Sequence, residues 1–168
     1  MGKLQLEDVA DDYVEDGPYD PGHTEFKLLA DYAYVAKDGT TYTATKGAVI
    51  NGTSIPKVVW SFVGGPWSGK YRNAAVIHDF LCENLVADSD TVHSVFLESM
   101  LVSGVPEIKA KLMYYAVLKG GPRWSAGSGF SPPVVVRGTV SEIELSEFEK
   151  ILKSNKLSET EIKQSAKD

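Results

Sequence analysis

The stretch from Tyr71 to Leu85, YRNAAVIHDFLCENL, decides how the rest of the chain is arranged. Its apolar and small residues recur at three- and four-residue intervals, the spacing of one face of an α-helix. These residues are Tyr71, Ala74, Ala75, Leu81, Cys82 and Leu85. His78 falls in the middle of that face, so the pattern predicts a buried histidine. Asp79 projects about 100° away, and the His-Asp pair is therefore expected where the core-facing stripe meets the polar side.

Length and composition predict one globular domain with terminal extensions. The chain has 168 residues, of which 43% are hydrophobic and 24% charged, enough to bury a sizeable core. We expect an acidic N-terminal arm over residues 1–20, a globular domain over 21–135 and a C-terminal tail over 136–168. Cys82 is the only cysteine, so an intramolecular disulfide is excluded.

Negative charge is concentrated at the N-terminus. Residues 1–20 contain seven acidic side chains and one lysine, and their net charge of −6 equals that of the whole chain. With a pI near 5.1 and no basic stripe, the chain lacks the main driving force for binding phosphate backbones, so no nucleic-acid partner is expected. The arm is predicted to be solvated and partly ordered, with a cation site or a basic partner as the alternative.

The sequence also lacks the features of export and of membrane insertion. Its first residues, MGKLQLED, do not contain the apolar segment of a signal peptide. No apolar run approaches the roughly 18 residues that a membrane-spanning helix needs. We therefore expect a soluble protein with no membrane span, not secreted by a signal peptide.

The N-terminal half of the expected domain alternates in the manner of β-strands. Apolar residues alternate with mostly polar ones from Phe26 to Tyr34, and a β-prone run over 40–45 follows the dipeptide Asp38-Gly39, which predicts a hairpin. Residues 46–50 can add a third short strand. Thr53 or Ser54 is then expected to cap a helix over 57–63.

Helical signals dominate the remainder. Asp88 is a suitable N-cap for a helix to about Ser103, and Pro106 opens another that ends at Gly120-Gly121-Pro122. A strand is expected within 134–140, and two capping boxes, at Ser141 and Ser158, predict short tail helices. The fold class is thus α+β: a small N-terminal antiparallel sheet packed on a three- to four-helix bundle, with a C-terminal helical tail.

Residues 47–124 resemble a known family. The motifs GAVINGTSIP, KYRNAAVIHDFL, VFLESM, LMYYAV and GGPRW follow one another in the order seen in the DUF1353 family. That family consists of small proteins of bacteriophages and prophage-bearing bacteria without a settled activity. The resemblance implies a phage-encoded protein located in the host cytoplasm or in the virion.

Three positions depart from the family pattern. Asn51 stands where the family usually has an aspartate, which removes an acid from that turn. Cys82 replaces an aromatic residue, which argues against a thiol nucleophile. His93 stands where an aspartate is usual, and metal ligation is one of the few roles that aspartate and histidine share.

Three interpretations of the His-Asp pair remain open. In the first, a divalent, zinc-like metal is held by His78, Asp79 and His93 and activates water. In the second, Ser54, His78 and Asp79 form a nucleophilic arrangement. In the third, the pair is structural: His78 bonds a buried carbonyl or Ser54, and Asp79 pairs with Arg72 or caps the preceding turn.

Two classes of function follow. One is a metal-dependent hydrolase with a His-Asp site on the central helix, acting on cell-wall or nucleotide material. The other is a non-catalytic virion or tail component, or a binder of a host factor. In that case the acidic arm and the tail would contact other phage or host proteins, because residues 143–152 carry an apolar stripe of the kind that fits a groove.

Overall fold

The structure, a computed structural model, describes residues 5–8, 25–52, 54–64, 69–125 and 133–167. Within these ranges the chain forms six α-helices and seven short strands in small antiparallel sheets, which confirms the α+β prediction. Residues 1–4 and 9–20 of the predicted acidic arm lie outside the described residues, as does Thr53. No helix among the described residues combines the length and the apolar character needed to cross a membrane.

The strands form three small sheets. Strands β1 (Leu6–Asp8), β2 (Phe26–Leu28) and β5 (Val49–Ile50) make one sheet in the order β1-β2-β5. Strands β3 (Tyr32–Val35) and β4 (Thr41–Ala44) make a hairpin, and β6 (Pro122–Arg123) pairs with β7 (Val136–Arg137). The strand expected within 134–140 is thus only two residues long.

The predicted hairpin is present, but its first strand is shorter than expected. Tyr34 lies opposite Tyr42, and Gly39 in the connecting turn has φ +87, a conformation that favours glycine. The alternating run that begins at Phe26 is two strands, β2 and β3, separated by a bend after Leu28. Leu28 and Tyr32, on either side of the bend, are both buried. The period of two therefore continues through the bend and does not reveal it.

The helices begin and end close to the predicted residues. A 3₁₀ turn (Lys57–Val59) leads into α1 (Trp60–Val63), followed by α2 (Arg72–Asn84), α3 (Ser89–Val102) and α4 (Glu107–Gly120). The tail forms α5 (Glu142–Ser154) and α6 (Glu159–Ser165).

Most of the predicted helix caps are present. The Asp88 side chain accepts from the Thr91 amide at the start of α3, and Ser141 and Ser158 each form a complete capping box. The cap expected from Ser54 is wrong: Pro56 occupies the N-cap position without a side-chain bond. The Ser54 hydroxyl is directed instead towards His78.

Two apolar clusters make up the interior, and α2 and α3 contribute to both. The helical cluster combines the start of α2 and the end of α3 with α4, α5 and α6. The sheet-side cluster combines the strands with the end of α2, the start of α3 and Trp124. Residues of α2 near position 78 and of α3 near position 93 therefore lie at the boundary between the two clusters.

The tail packs on the body of the same chain. Leu145, Phe148 and Leu152 of α5 are buried within the helical cluster, and the Phe148 ring stacks on Tyr115 of α4 with centroids 3.9 Å apart. Gly138 lies directly against the end of α4, where an added Cβ would come within 1.9 Å of the Lys119 carbonyl oxygen. The apolar stripe of the tail is thus largely intramolecular.

Candidate functional site

The site begins with two histidines on consecutive helices. A short connection joins α2 to α3, so His78 of α2 faces His93 of α3 across the helix contact. His78 is 1% exposed and His93 0%. The Nε2 atom of His78 lies 2.9 Å from Nδ1 of His93, a hydrogen-bond distance. Burial of His78 was predicted from the helical period; its contact with His93 was not.

The hydrogen bonds continue on both sides of this pair. Ser54 Oγ lies 3.1 Å from His78 Nδ1, and His93 Nε2 lies 3.1 Å from the carbonyl oxygen of Pro122. A carbonyl can only accept, so His93 Nε2 carries a hydrogen. In a neutral ring His93 Nδ1 then accepts from His78 Nε2–H, and His78 Nδ1 accepts from the Ser54 hydroxyl. Every ring nitrogen in the series has a partner.

Aromatic rings enclose the imidazoles. Phe96 stacks on His78 with ring centroids 4.4 Å apart, and Trp124 meets His93 edge-on at 6.3 Å. The Trp124 indole is itself held by a hydrogen bond from Nε1 to the Ala87 carbonyl oxygen, 2.7 Å long. The histidines are therefore fixed in orientation by hydrogen bonds and by packing.

Asp79 lies beside this series, but its carboxylate binds backbone amides and not the imidazoles. Its carboxylate accepts from the backbone amides of Asn51 at 2.9 Å, Gly52 at 3.1 Å and Ser54 at 3.2 Å. The helical period predicted Asp79 at the border of the polar face, yet Asp79 is 0% exposed, because Asn51, Gly52 and Ser54 lie against it. Asp79 thus fixes the loop that carries Ser54.

A third potential ligand lies one helical turn after His78. Cys82 Sγ is 3.6 Å from His78 Nε2, and ligand atoms of His78, Cys82 and His93 all lie within 4.8 Å of one another. Among the described residues, this group could hold a metal ion. Asp79 does not belong to it. The spacing of four residues between His78 and Cys82 on one helix face was the signal that could have identified the cysteine as a candidate ligand.

The geometry fits an ion with a small movement of the rings. A tetrahedral ion with nitrogen ligands at about 2.0–2.1 Å sets those nitrogens roughly 3.3–3.4 Å apart. The His78 and His93 nitrogens are 2.9 Å apart, so the rings must separate by about half an ångström and give up their mutual hydrogen bond. The outer nitrogen of each ring already has a partner, as is usual for ligating histidines.

Burial disfavours charge throughout the cluster. It lowers the pKa of His78 well below the ordinary value, with the neighbouring His93 adding to the effect, and lowers the pKa of His93 to about 4. Burial also raises the pKa of the Cys82 thiol, and the Asp79 charge adds to that rise. Both imidazoles are therefore neutral near pH 7, the form that binds metals.

The pKa of Glu83, on the same helix as His78, is also shifted. Reduced hydration, together with the charges of Asp79 and Glu25, raises the pKa of Glu83 to about 7.

The structure brings most of the candidate site residues together. Ser54, His78 and His93 form one hydrogen-bonded series, and Asp79 touches the backbone of Ser54 rather than the ring of His78. Pro122 closes the series, a role that no side-chain pattern could indicate because its backbone oxygen makes the contact. Whether these residues catalyse or bind metal stays a prediction.

A surface cleft lies away from the histidine series. It has a volume of about 400 Å³ and is lined by residues of the β3–β4 hairpin, α3 and α6, including Lys37, Glu98 and Lys163. None of the residues of the histidine series lines this cleft.

Comparison with known proteins gives a family and uncharacterized relatives. The model of a family described as "Protein of unknown function (DUF1353)" matches residues 26–117. Uncharacterized protein y4iH of Sinorhizobium fredii is 45% identical over 105 residues, 62% of this chain and 44% of that protein. Uncharacterized protein y4jT of the same organism is 39% identical over 100 residues, 60% of this chain and 30% of that protein. No solved structure matches.

The relatives are longer than the region they share with this chain. The chain spans less than half the length of either curated relative. The family match covers α2, α3 and most of α4, and so includes Ser54, His78, Cys82 and His93.

Proposed function

The chain belongs to the DUF1353 family, and from that premise we propose that it is a metal-dependent hydrolase built around His78. The proposed ligands are His78 Nε2, Cys82 Sγ and His93 Nδ1. This set replaces Asp79 of the sequence-based hypothesis with Cys82, because the Asp79 carboxylate is occupied by three loop amides.

One observation carries the proposal. Three ligand atoms of suitable type lie within 4.8 Å of one another, and the second nitrogen of each imidazole is already hydrogen-bonded, to Ser54 Oγ and to the Pro122 oxygen. Ligating histidines in proteins almost always have such outer partners. Two imidazoles and one thiolate form a donor set suited to zinc-like ions.

A bound ion of this kind would supply Lewis acidity, lowering the pKa of a bound water and polarising a carbonyl or phosphoryl oxygen. The residues of the chain have supporting tasks. His78 and His93 are kept neutral by burial, and the aromatic rings of Phe96 and Trp124 limit water around them. The substrate class we propose is cell-wall or nucleotide material with a hydrolysable carbonyl or phosphoryl group, in keeping with the phage-encoded role that the family resemblance implies.

The test combines metal content with hydrolysis. Elemental analysis of the purified protein should find about one ion per chain. A chelator should lower the melting temperature, because an ion that binds only the folded state stabilises it by mass action, by about 4 kcal/mol at a thousand times its Kd. Hydrolysis of p-nitrophenyl ester and phosphate probes should require the ion.

Two variants distinguish the loss of the metal site from a general loss of stability. His93→Ala should lose both the ion and hydrolysis, whereas Ser99→Ala, which removes an equally buried α3 hydroxyl bonded to the Phe96 oxygen, should keep both. A metal-free wild-type protein with a melting curve insensitive to chelator would refute the metal part. An ion without any hydrolysis would refute the enzymatic part.

Burial favours a second candidate, a non-catalytic phage protein. Ser54, His78, Asp79 and His93 are each at most 2% exposed, as expected for a centre that stabilises the fold. In this case the protein is a virion or tail component, or a binder of a host factor, and the N-terminal arm provides contacts. The tail is less suited to that task because its stripe packs on α4. Deleting residues 141–168 tests this: retained association with a partner would exclude the tail as the contact.

A further inference from the structure

We infer that Ser54 and Asp79 are positioning residues of the metal centre, and that ion binding reverses the direction of the Ser54–His78 hydrogen bond. The inference rests on the proposed ion site and adds an outer layer to it. Neither residue is one of the proposed ligands; Ser54 contacts His78, and Asp79 holds the loop that carries Ser54.

Asp79 acts first, by fixing the loop. Its two carboxylate oxygens accept hydrogen bonds from the backbone amides of Asn51, Gly52 and Ser54, which lie within four consecutive residues. Gly52 has φ +70, the left-handed conformation that glycine adopts without strain. Three converging amide bonds to one buried carboxylate leave the loop little freedom, so the position of Ser54 relative to α2 is set by the residue that follows His78.

The loop that carries Ser54 is also in close contact with the segment at Gly121. Gly121, next to the Pro122 that holds His93, packs against Ser54: an added Cβ there would lie 3.2 Å from the Ser54 carbonyl oxygen and 2.5 Å from that of Val117. The segment that anchors His93 and the loop that anchors His78 are therefore in contact. Both imidazoles are therefore held by two chain segments that pack against each other.

Without an ion, the hydrogen positions follow from the Pro122 carbonyl. Both histidines carry their hydrogen on Nε2, and the Ser54 hydroxyl donates to His78 Nδ1. All hydrogen bonds in the series thus run in one direction, from Ser54 towards Pro122.

When an ion binds the proposed ligands, the ring hydrogen changes position in His78 only. His93 binds through Nδ1 and keeps its Nε2–H on the Pro122 oxygen. His78 must release the hydrogen on Nε2 to bind, so its one hydrogen moves to Nδ1 and the ring stays neutral, while the Cys82 thiol gives its proton to water. His78 Nδ1–H then donates to Ser54 Oγ, which becomes the acceptor.

Nitrogen NMR tests the hydrogen positions directly. Long-range ¹H–¹⁵N spectra of ¹⁵N-labelled protein, recorded without metal and with one equivalent of Zn²⁺, report which ring nitrogen of each histidine carries hydrogen. His78 is expected to change from Nε2–H to Nδ1–H, and His93 is expected to keep Nε2–H. Assignment uses His78→Gln and His93→Gln. A His78 ring with Nδ1–H before zinc is added, or with Nε2–H after, would overturn the inference.

Zinc affinity tests the positioning role. Ser54→Ala should weaken binding by about 10- to 100-fold, the usual effect of losing an outer partner of a ligating histidine. Ser99→Ala, the matched buried serine, should bind zinc as the wild type does. Asp79→Asn should weaken binding as well, and adding it to Ser54→Ala should cost less than the two separate losses together, because both act through the same hydrogen bond.

The outcomes distinguish this inference from the proposed function. If the wild type takes up no zinc, both fail. If the wild type binds zinc and Ser54→Ala binds it equally well, the ion site stands and the role of Ser54 is refuted. Should Asp79→Asn fail to fold, Ser54→Ala and the spectra of the wild type still decide the matter.

Discussion

The helical cluster and the histidine series are equally buried but are stabilised in different ways. In the helical cluster, Leu145 and Phe148 of α5 contribute apolar area, and stacking on Tyr115 is their most specific contact. At the boundary between the two clusters, each buried polar atom of Ser54, His78 and Asp79 depends on a particular partner. A region of the first kind tolerates other apolar side chains of similar volume, whereas one of the second kind does not.

The largest expected effect comes from removing the Asp79 carboxylate. Asp79→Ala should lower the free energy of unfolding by about 4 kcal/mol or more, because three backbone amides lose a charged acceptor and each buried unpaired group costs about 1–3 kcal/mol. Urea unfolding measures it. The control is Asp90→Ala, an exposed acid in the first turn of α3, which should cost less than about 1 kcal/mol. Equal effects of the two substitutions would mean that the loop amides are hydrated.

A smaller effect is expected from truncation in the helical cluster. Leu145→Ala should lower the free energy of unfolding by about 3 kcal/mol, from lost apolar transfer and the cavity left behind. This loss should not depend on zinc or on pH between 5.5 and 7.5, because Leu145 belongs to the helical cluster and not to the histidine series. Leu145→Met, with nearly the same volume, should cost less than about 1.5 kcal/mol. A zinc-dependent loss would mean that the two regions are coupled.

The smallest expected effect is the dependence of stability on pH. The pKa of His93 is lowered to about 4 in the folded chain and that of His78 is also lowered, whereas both are near 6.5 when unfolded. The unfolded chain therefore binds more protons below about pH 6.5, so the stability that the neutral rings contribute falls as the pH falls through this range.

Glu83 opposes this trend. Its pKa is raised to about 7, so the folded chain takes up a proton there first and gains stability as the pH falls. In metal-free protein, Glu83→Gln should steepen the loss of stability between pH 7 and 5.5, and His78→Gln/His93→Gln should remove it. Urea midpoints at half-unit intervals measure both. If the double variant still loses stability on acidification, the pH dependence comes from groups other than the two histidines.

Much of the fold followed from local patterns. The periodicity of α2, the Asp88 cap of α3 and the capping boxes of the tail all depend on residues within a turn of one another, and the structure contains each of them. The expected continuous strand from Phe26 was wrong because inward and outward positions keep alternating through the bend after Leu28. A pattern that is the same for one long strand and two short ones cannot separate them.

The site was only partly predictable. The helical period identified His78, and the departure from the family pattern drew attention to His93. The partners of Asp79 could not be foreseen, because backbone amides of a loop 25 to 28 residues earlier have no signature in the sequence. Cys82 was assigned to the core as a small apolar residue, although its spacing of four residues from His78 was visible in the sequence; the 3.6 Å distance between the two side chains identifies it as a candidate ligand.

The sequence by itself determined the core-facing stripe of α2 that contains His78, where most of the helices begin and end, and that the fold is α+β. These properties depend on hydrophobic periodicity and capping, which act between residues close in the chain. Only the tertiary structure decided that Asp79 fixes the 51–54 loop, that Ser54, His78 and His93 share one series of hydrogen bonds, and that Cys82 completes a possible ligand set. The hydrogen bonds of Asp79, Ser54 and the two histidines join segments 15 to 28 residues apart in the chain. A hydrogen bond needs its two atoms within about 3 Å, a condition that only the packing of these segments can meet.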